Sequence, residues 1–132
     1  MNNQKNVIVN DIDIMIAGKA GDGSLVSGDI LAKVIARMGL NVCTIKDFPS
    51  NIRGLPTNYI IRGGKNIFLS KKDHIDVLIA LDEASVKQHI DELSPNGVLI
   101  YDYSSTNLPN NLKRKGINIY LAPLEKMAIQ TL

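Results

Sequence analysis

The chain has 132 residues, 45% of them apolar and 21% charged, with a formal net charge of +2. That length suits one domain with its own core, and the charge is too small to select a nucleic acid or an acidic membrane as partner. No run approaches the roughly 20 apolar residues that span a bilayer, and the first eleven residues are too polar for a secretory signal, so the cytoplasm is the expected location. The single cysteine, Cys43, cannot form an internal disulfide and sits in an apolar run, which predicts core packing.

Residues 1–10 read as a loose arm on a single domain spanning 1–132. Ile12 to Ala17 is a nearly continuous apolar run, as expected of a strand covered on both faces. A glycine-rich turn follows, Gly18-Lys19-Ala20-Gly21-Asp22-Gly23-Ser24. A helix is predicted from Ser24 to Met38, because Leu25, Leu31, Val34, Ile35 and Met38 recur at helical spacing, with Gly39 as its stop. Val42 to Ile45 is a second strand, 46–57 an irregular loop, and Asn58 to Arg62 a third strand. Gly63-Gly64 then predicts a hairpin turn into Asn66 to Leu69.

Asp76 to Leu81 reads as another buried strand. The helix after it, Glu83 to Leu93, stops at Ser94-Pro95-Asn96-Gly97. Val98 to Tyr101 and Ile117 to Leu121 are strands, with a weakly helical or loop stretch from Leu108 to Lys115 between them. Pro123 opens a final helix. Strands alternating with helices predict an α/β domain, Rossmann-like, with a mostly parallel sheet flanked by helices. The last helix pattern has neither cap nor polar tail, which predicts truncation at the C-terminus, as in a fragment of a longer chain.

The glycine turn is the first candidate site. Glycines between a strand and a helix let a ligand approach the backbone, where free N–H groups and the helix dipole favour an anion; a tight turn holding nothing is the alternative. The order G-x-x-G-x-G differs from the dinucleotide fingerprint G-x-G-x-x-G, although Asp47 lies about where a ribose-binding acid would. Ser24 stands where a P-loop needs its lysine. Gly21-Asp22-Gly23-Ser24 is similar to the GDG box of thiamine-diphosphate enzymes, with Asn51 as a conceivable magnesium partner, but Arg53 beside Asn51 opposes a cation.

The second candidate is the loop Lys46-Asp47-Phe48-Pro49-Ser50-Asn51-Ile52-Arg53-Gly54-Leu55-Pro56-Thr57-Asn58-Tyr59. It follows the second strand, so in a parallel sheet it shares the glycine turn's edge, where ligands collect. Arg53 suits bidentate contact with carboxylate or phosphate. A solvated loop tied by an Asp47–Arg53 pair is the alternative.

Together this loop, the glycine turn through Leu25, and Gly28-Asp29-Ile30-Leu31-Ala32 resemble the gamma domain of 2-oxoacid:ferredoxin (acceptor) oxidoreductases. The nearest type is the N-terminal domain of the 2-oxoglutarate-type alpha subunit. The resemblance covers most of residues 12–122. Gly54-Leu55-Pro56 stands where the pyruvate branch commonly has a Gly-Gly pair, and the family's domain runs some tens of residues further.

The resemblance implies a complex that oxidatively decarboxylates a 2-oxoacid to acyl-CoA and passes electrons to ferredoxin. Thiamine diphosphate, magnesium and iron–sulfur clusters would sit on partner domains, and this chain lacks the clustered cysteines of an iron–sulfur site. The domain itself would dock on the thiamine-diphosphate-binding subunit and help hold coenzyme A, with no oxidoreductase activity alone. Gly18, Gly21, Asp22, Gly23 and Ser24 would form the ligand or interface turn, with Ser50, Arg53 and Gly54 opposite. A free-standing phosphate- or nucleotide-binding module and a purely structural interaction domain are the competing readings.

Elsewhere, His74 and His89 have no Cys or His at ligand spacing and read as surface residues. Lys71-Lys72 and Lys113-Arg114-Lys115 read as solvated faces, with coenzyme A phosphates or a partner subunit as the alternative. Asp82 reads as the cap of the helix that follows it. Tyr101-Asp102-Tyr103-Ser104 ends a strand at the same edge of the sheet.

Overall fold

The computed structural model describes residues 11–47, 55–66, 73–104 and 116–131. The elements are β1 (Asp11–Lys19), α1 (Ser24–Arg37), β2 (Asn41–Asp47), β3 (Pro56–Gly64), β4 (Ile75–Ala80), α2 (Glu83–His89) with a 3-10 turn over Ile90–Glu92, β5 (Leu93–Asp102), β6 (Asn118–Ala122) and α3 (Leu124–Thr131). They build one six-stranded sheet in the order β2-β3-β1-β4-β5-β6. β1, β4, β5 and β6 pair in parallel, while β3 runs antiparallel to both of its neighbours. The predicted α/β domain with a mostly parallel sheet is therefore what forms.

β1 lies at the centre and is covered on both faces, which explains its continuous apolar run. Ile16 joins Tyr59, Ile61 and Ile35 of α1 on one face. Met15 and Ala17 join Ile60, Leu78, Leu99 and Val86 of α2 on the other. Fully burying such side chains contributes about 1.5–3 kcal/mol each. Among the described residues no helix is long and apolar enough to cross a membrane.

Several sequence expectations give way here. Both edges of β3 are taken, by β1 and β2, so no edge is left for the predicted hairpin with 66–69, of which 67–69 lie outside the described residues. Gly63 and Gly64 end β3 rather than turn it back. β2 is an edge strand with no buried residue, and Cys43 is only half-buried. Lys46 and Asp47 belong to β2, and Pro56 and Thr57 to β3, so the loop between is shorter than predicted. α2 stops at His89, and Ser94 to Gly97 lie inside β5 as an irregularity: the ladder steps from Ile75↔Leu93 to Val77↔Val98. Asn96 takes a positive φ of 63° there and donates its N–H to the Gly116 carbonyl at 2.6 Å. The arm at 1–10 and the stretch 108–115 lie outside the described residues.

One buried polar cluster escaped the hydrophobic pattern. Asp13, in the middle of the first apolar run, is fully buried. Arg62 of β3 places its Nε 3.5 Å from Asp13 Oδ1 and 3.7 Å from Asp11 Oδ1. The Asp13 N–H donates to Asp76 Oδ2 at 2.9 Å, and the Ser94 hydroxyl donates to Asp76 Oδ1 at 3.3 Å. Asp13 and Arg62 are cross-strand partners in the β1–β3 register, so the pair fixes that register by charge.

Candidate functional site at the carboxyl edge of the sheet

The β1–α1 turn is closed by its own aspartate. The Asp22 carboxylate accepts the Lys19 N–H at 2.6 Å and the Ser24 N–H at 2.9 Å. Gly21 and Gly23 take φ of 92° and 88°, a region open to glycine at little cost. A Cβ on Gly18 would collide with the folded-back carboxylate and lie 3.2 Å from Leu81 Cδ1. Gly23 is also the N-cap of α1 and supplies no side-chain bond to it.

The turn is joined to the base of the second loop. The Ala20 N–H donates to the Leu55 carbonyl at 2.9 Å, and the Ser24 and Thr57 hydroxyls are 3.1 Å apart in a buried contact. The first five predicted site residues, Gly18 to Ser24, are thus brought together beside the second loop. Two of their side chains, Asp22 and Ser24, are occupied within the protein. Ser50, Arg53 and Gly54, together with Asn51, lie outside the described residues; Asp47 is exposed at the end of β2.

A second link joins the two motif segments. The Tyr59 hydroxyl donates to Asp29 Oδ1 at 2.8 Å, and Lys46 Nζ lies 2.9 Å from the same oxygen and 5.1 Å from the Tyr59 ring centroid. A Cβ on Gly28 would sit 2.6 Å from the Tyr59 ring, so glycine is needed for the ring to lie against α1. The Lys46 hydrogen bond, then that of Tyr59, lowers the Asp29 pKa, and the Asp29 hydrogen bond raises that of Lys46. Burial, then the bond to Asp29, raises the Tyr59 pKa. Neither role was foreseen, although the Gly28-Asp29 and Asn58-Tyr59 pairs lay within the motif.

Beside the turn opens a cleft of about 550 Å³, bounded by Lys19 and Asp22, by Asp82, by Asp102 and by Glu125 at the start of α3. Asp82 Oδ1 accepts the Ser85 N–H at 2.7 Å, the predicted helix cap. Asp102 gathers the N–H groups of Ser104, Leu124 and Glu125 at 2.9, 3.1 and 3.2 Å. Burial alone would raise its pKa. The Ser104 hydroxyl beside it, which does not itself reach good hydrogen-bond geometry, and these three amides outweigh burial and lower the pKa. An anion at the floor of this cleft meets four carboxylates and one ammonium, so the cleft disfavours phosphate. Among the described residues no three His, Cys, Asp or Glu are grouped to hold a metal ion.

His74 is exposed as expected. His89 is not: it is 5% exposed, with Nδ1 2.7 Å from Glu92 Oε1. The helix ends there, and His89 lines a hollow of about 420 Å³ together with Met15, Ile45 and Ile60.

Residues 13–132 match the family model described as pyruvate ferredoxin/flavodoxin oxidoreductase. The chain belongs to this family. It is 34% identical, over 92 residues, to subunit alpha of 2-oxoacid:ferredoxin oxidoreductase 2 from Aeropyrum pernix. That match covers 70% of this chain and 14% of the relative. The 2-oxoglutarate:ferredoxin oxidoreductase from Magnetococcus marinus, solved with 2-oxoglutarate, coenzyme A and succinyl-CoA bound, superposes with a TM-score of 0.81 at 30% identity. It covers 92% of this chain and 21% of that one. Pyruvate oxidoreductase subunit PORC from Thermotoga maritima shares the fold, with a TM-score of 0.71 at 21% identity over 92% of this chain and 66% of that one. The chain thus spans about a seventh of the Aeropyrum relative, and it is related to subunits of 2-oxoacid:ferredoxin oxidoreductase complexes.

Proposed function

We propose that the chain is the gamma-type domain, comprising residues 1–132, of a 2-oxoglutarate-type 2-oxoacid:ferredoxin oxidoreductase. It supports decarboxylation of a 2-oxoacid to acyl-CoA by helping to hold coenzyme A and by docking on the thiamine-diphosphate domains. The observation carrying this reading is the joining of the glycine turn to the base of the second loop, through Ala20 to Leu55 and Ser24 to Thr57. It occurs in a chain whose fold superposes on a relative solved with coenzyme A.

Coenzyme A is a polyanion with a long neutral arm. Its phosphates suit the rim formed by Gly21 and Gly23 at the start of α1, and Ser50, Arg53 and Gly54 are the second loop's candidates for the same role. Gly18, Asp22 and Ser24 shape that rim rather than bind, since the Asp22 carboxylate is committed to the turn and Ser24 is buried against Thr57. The acidic cleft next to it keeps phosphates on the second-loop side. Thiamine diphosphate and its magnesium, which supply the carbanion chemistry, belong on partner domains. So do the iron–sulfur clusters, because one cysteine does not furnish the thiolates that a cluster requires. Ferredoxin meets the complex there.

The test is steady-state kinetics of the assembled complex carrying Arg53→Ala. Losing a bidentate phosphate contact raises KM for coenzyme A about tenfold and leaves KM for the 2-oxoacid unchanged. Unaltered coenzyme A kinetics and normal assembly would remove Arg53 from the site. Tight coenzyme A or nucleotide binding by the chain alone, without co-purification of a thiamine-binding subunit, would instead make it a free-standing binding module.

A further inference from the structure

We propose that the outward face of α1 is a docking ridge for a helix of a neighbouring domain in the same oxidoreductase complex, one whose apolar ridge is edged with carboxylates. This rests on the complex-subunit reading above. α1 has two apolar faces. The inner one carries buried Ile35 and half-buried Leu25, Leu31 and Ala32 against Ile16, Tyr59 and Ile61. The outer one carries Val26, Ile30, Val34 and Met38, spaced by four residues, and they are 63%, 58%, 48% and 70% exposed. Single exposed apolar residues are ordinary on a protein surface; four in register along one helix form a contiguous patch of the kind that marks an interaction site.

Spacing and charge specify the occupant. Residues four apart form a ridge that interdigitates with an equal ridge on a second helix, crossing at about −50°. Lys33 and Arg37 are exposed on the outer side, and Asp29 is the one acidic residue of α1 from Val26 to Arg37. The nearest acid, Asp29, is held by Tyr59 and Lys46. Asp29 partly offsets Lys33, and the outer side keeps a net positive charge, which favours a partner rim of Asp or Glu. That charge disfavours a second copy of this chain, whose α1 would bring the same net positive charge to the same small contact. The relatives carry this domain within far longer chains, since it spans only 14% of one and 21% of another. A neighbouring domain is therefore at hand to cover the ridge.

The experiment is co-expression with the other subunits, comparing wild type with Ile30→Asp/Val34→Asp and with Lys33→Glu/Arg37→Glu. All four positions are exposed, so the urea midpoint of the purified chain should stay close to wild type in both variants. The expected result is at least about a tenfold loss of association for the apolar pair. The charge-reversal pair should show a smaller loss, larger at low salt than at high salt. Wild-type association in both variants would overturn the ridge while leaving the complex-subunit reading intact. A concentration-dependent dimer of the wild-type chain that Ile30→Asp/Val34→Asp dissolves would assign the face to a second copy and overturn the proposal. Failure of the wild-type chain to assemble with any thiamine-binding subunit would overturn both readings.

Discussion

β1 meets carboxylates at both of its ends, and the two ends use them differently. At the amino end, Asp13 is fully buried and opposes a side-chain charge on the neighbouring strand, Arg62. At the carboxyl end, Asp22, Asp82 and Asp102 each take backbone N–H groups at the start of a helix or turn. The first arrangement couples strands far apart in sequence, and a buried charge loses its cross-strand counter-charge if one partner goes. The second consists of separate caps, Asp22 and Asp82 within three residues and Asp102 reaching to Leu124 and Glu125, so each member can be lost with limited effect on the others. The amino end is therefore the brittle one.

The largest effect should come from breaking that end. Arg62→Met removes the cation beside buried Asp13 and should cost about 3 kcal/mol, read as a fall in the urea unfolding free energy. Adding Asp13→Leu should recover most of that loss, because a packed apolar pair replaces a buried ionic one. A single-variant loss below about 1 kcal/mol would erase the contrast between the ends.

At the other end, Asp102→Ala should cost about 2 kcal/mol, since three amides lose one acceptor. The Asp102 pKa is lowered from 3.8 in the folded protein. Its contribution is therefore full above that value and is lost as pH falls through the lower, folded one. Urea unfolding of wild type and Asp102→Asn across a pH series should show a gap that closes only on that acid side; a gap that is constant down to the lowest pH would contradict the assignment. Asp82→Ala, which removes one cap bond, should cost about 1 kcal/mol, measured as a small downward shift of the thermal midpoint.

The sequence was most legible where apolar residues follow a strict period. β1, α1, β4 and the start of α3 lie within a residue or two of their predicted limits, and the Asp82 cap was read from its position alone. The misses share a cause: long-range packing overrode local pattern. β3 is a central strand because β1 accepts it antiparallel, which no short window reveals. β2 looks like core in sequence yet lies at the sheet's edge, so Cys43 is only half-buried. Ser94 to Gly97 spell a turn, and the sheet absorbs that turn into β5. His89 appeared polar on its helix, but it is buried and its ring nitrogen meets Glu92. At the candidate site, the glycine turn was legible through its spacing. The roles of Gly28 and Asp29 were not, because both depend on Tyr59, thirty residues away.

The reversal of β3 sets both anchor points of the stretch between β2 and β3. Asp47 pairs with Asn58 at the end of that ladder, and Leu55 gives its carbonyl to Ala20. Both attachments are made by the main chain. Lengthening such a span adds closure entropy only slowly. The frame of Asp47 and Leu55 can therefore be inherited with the sheet unchanged while the sequence between them is rewritten.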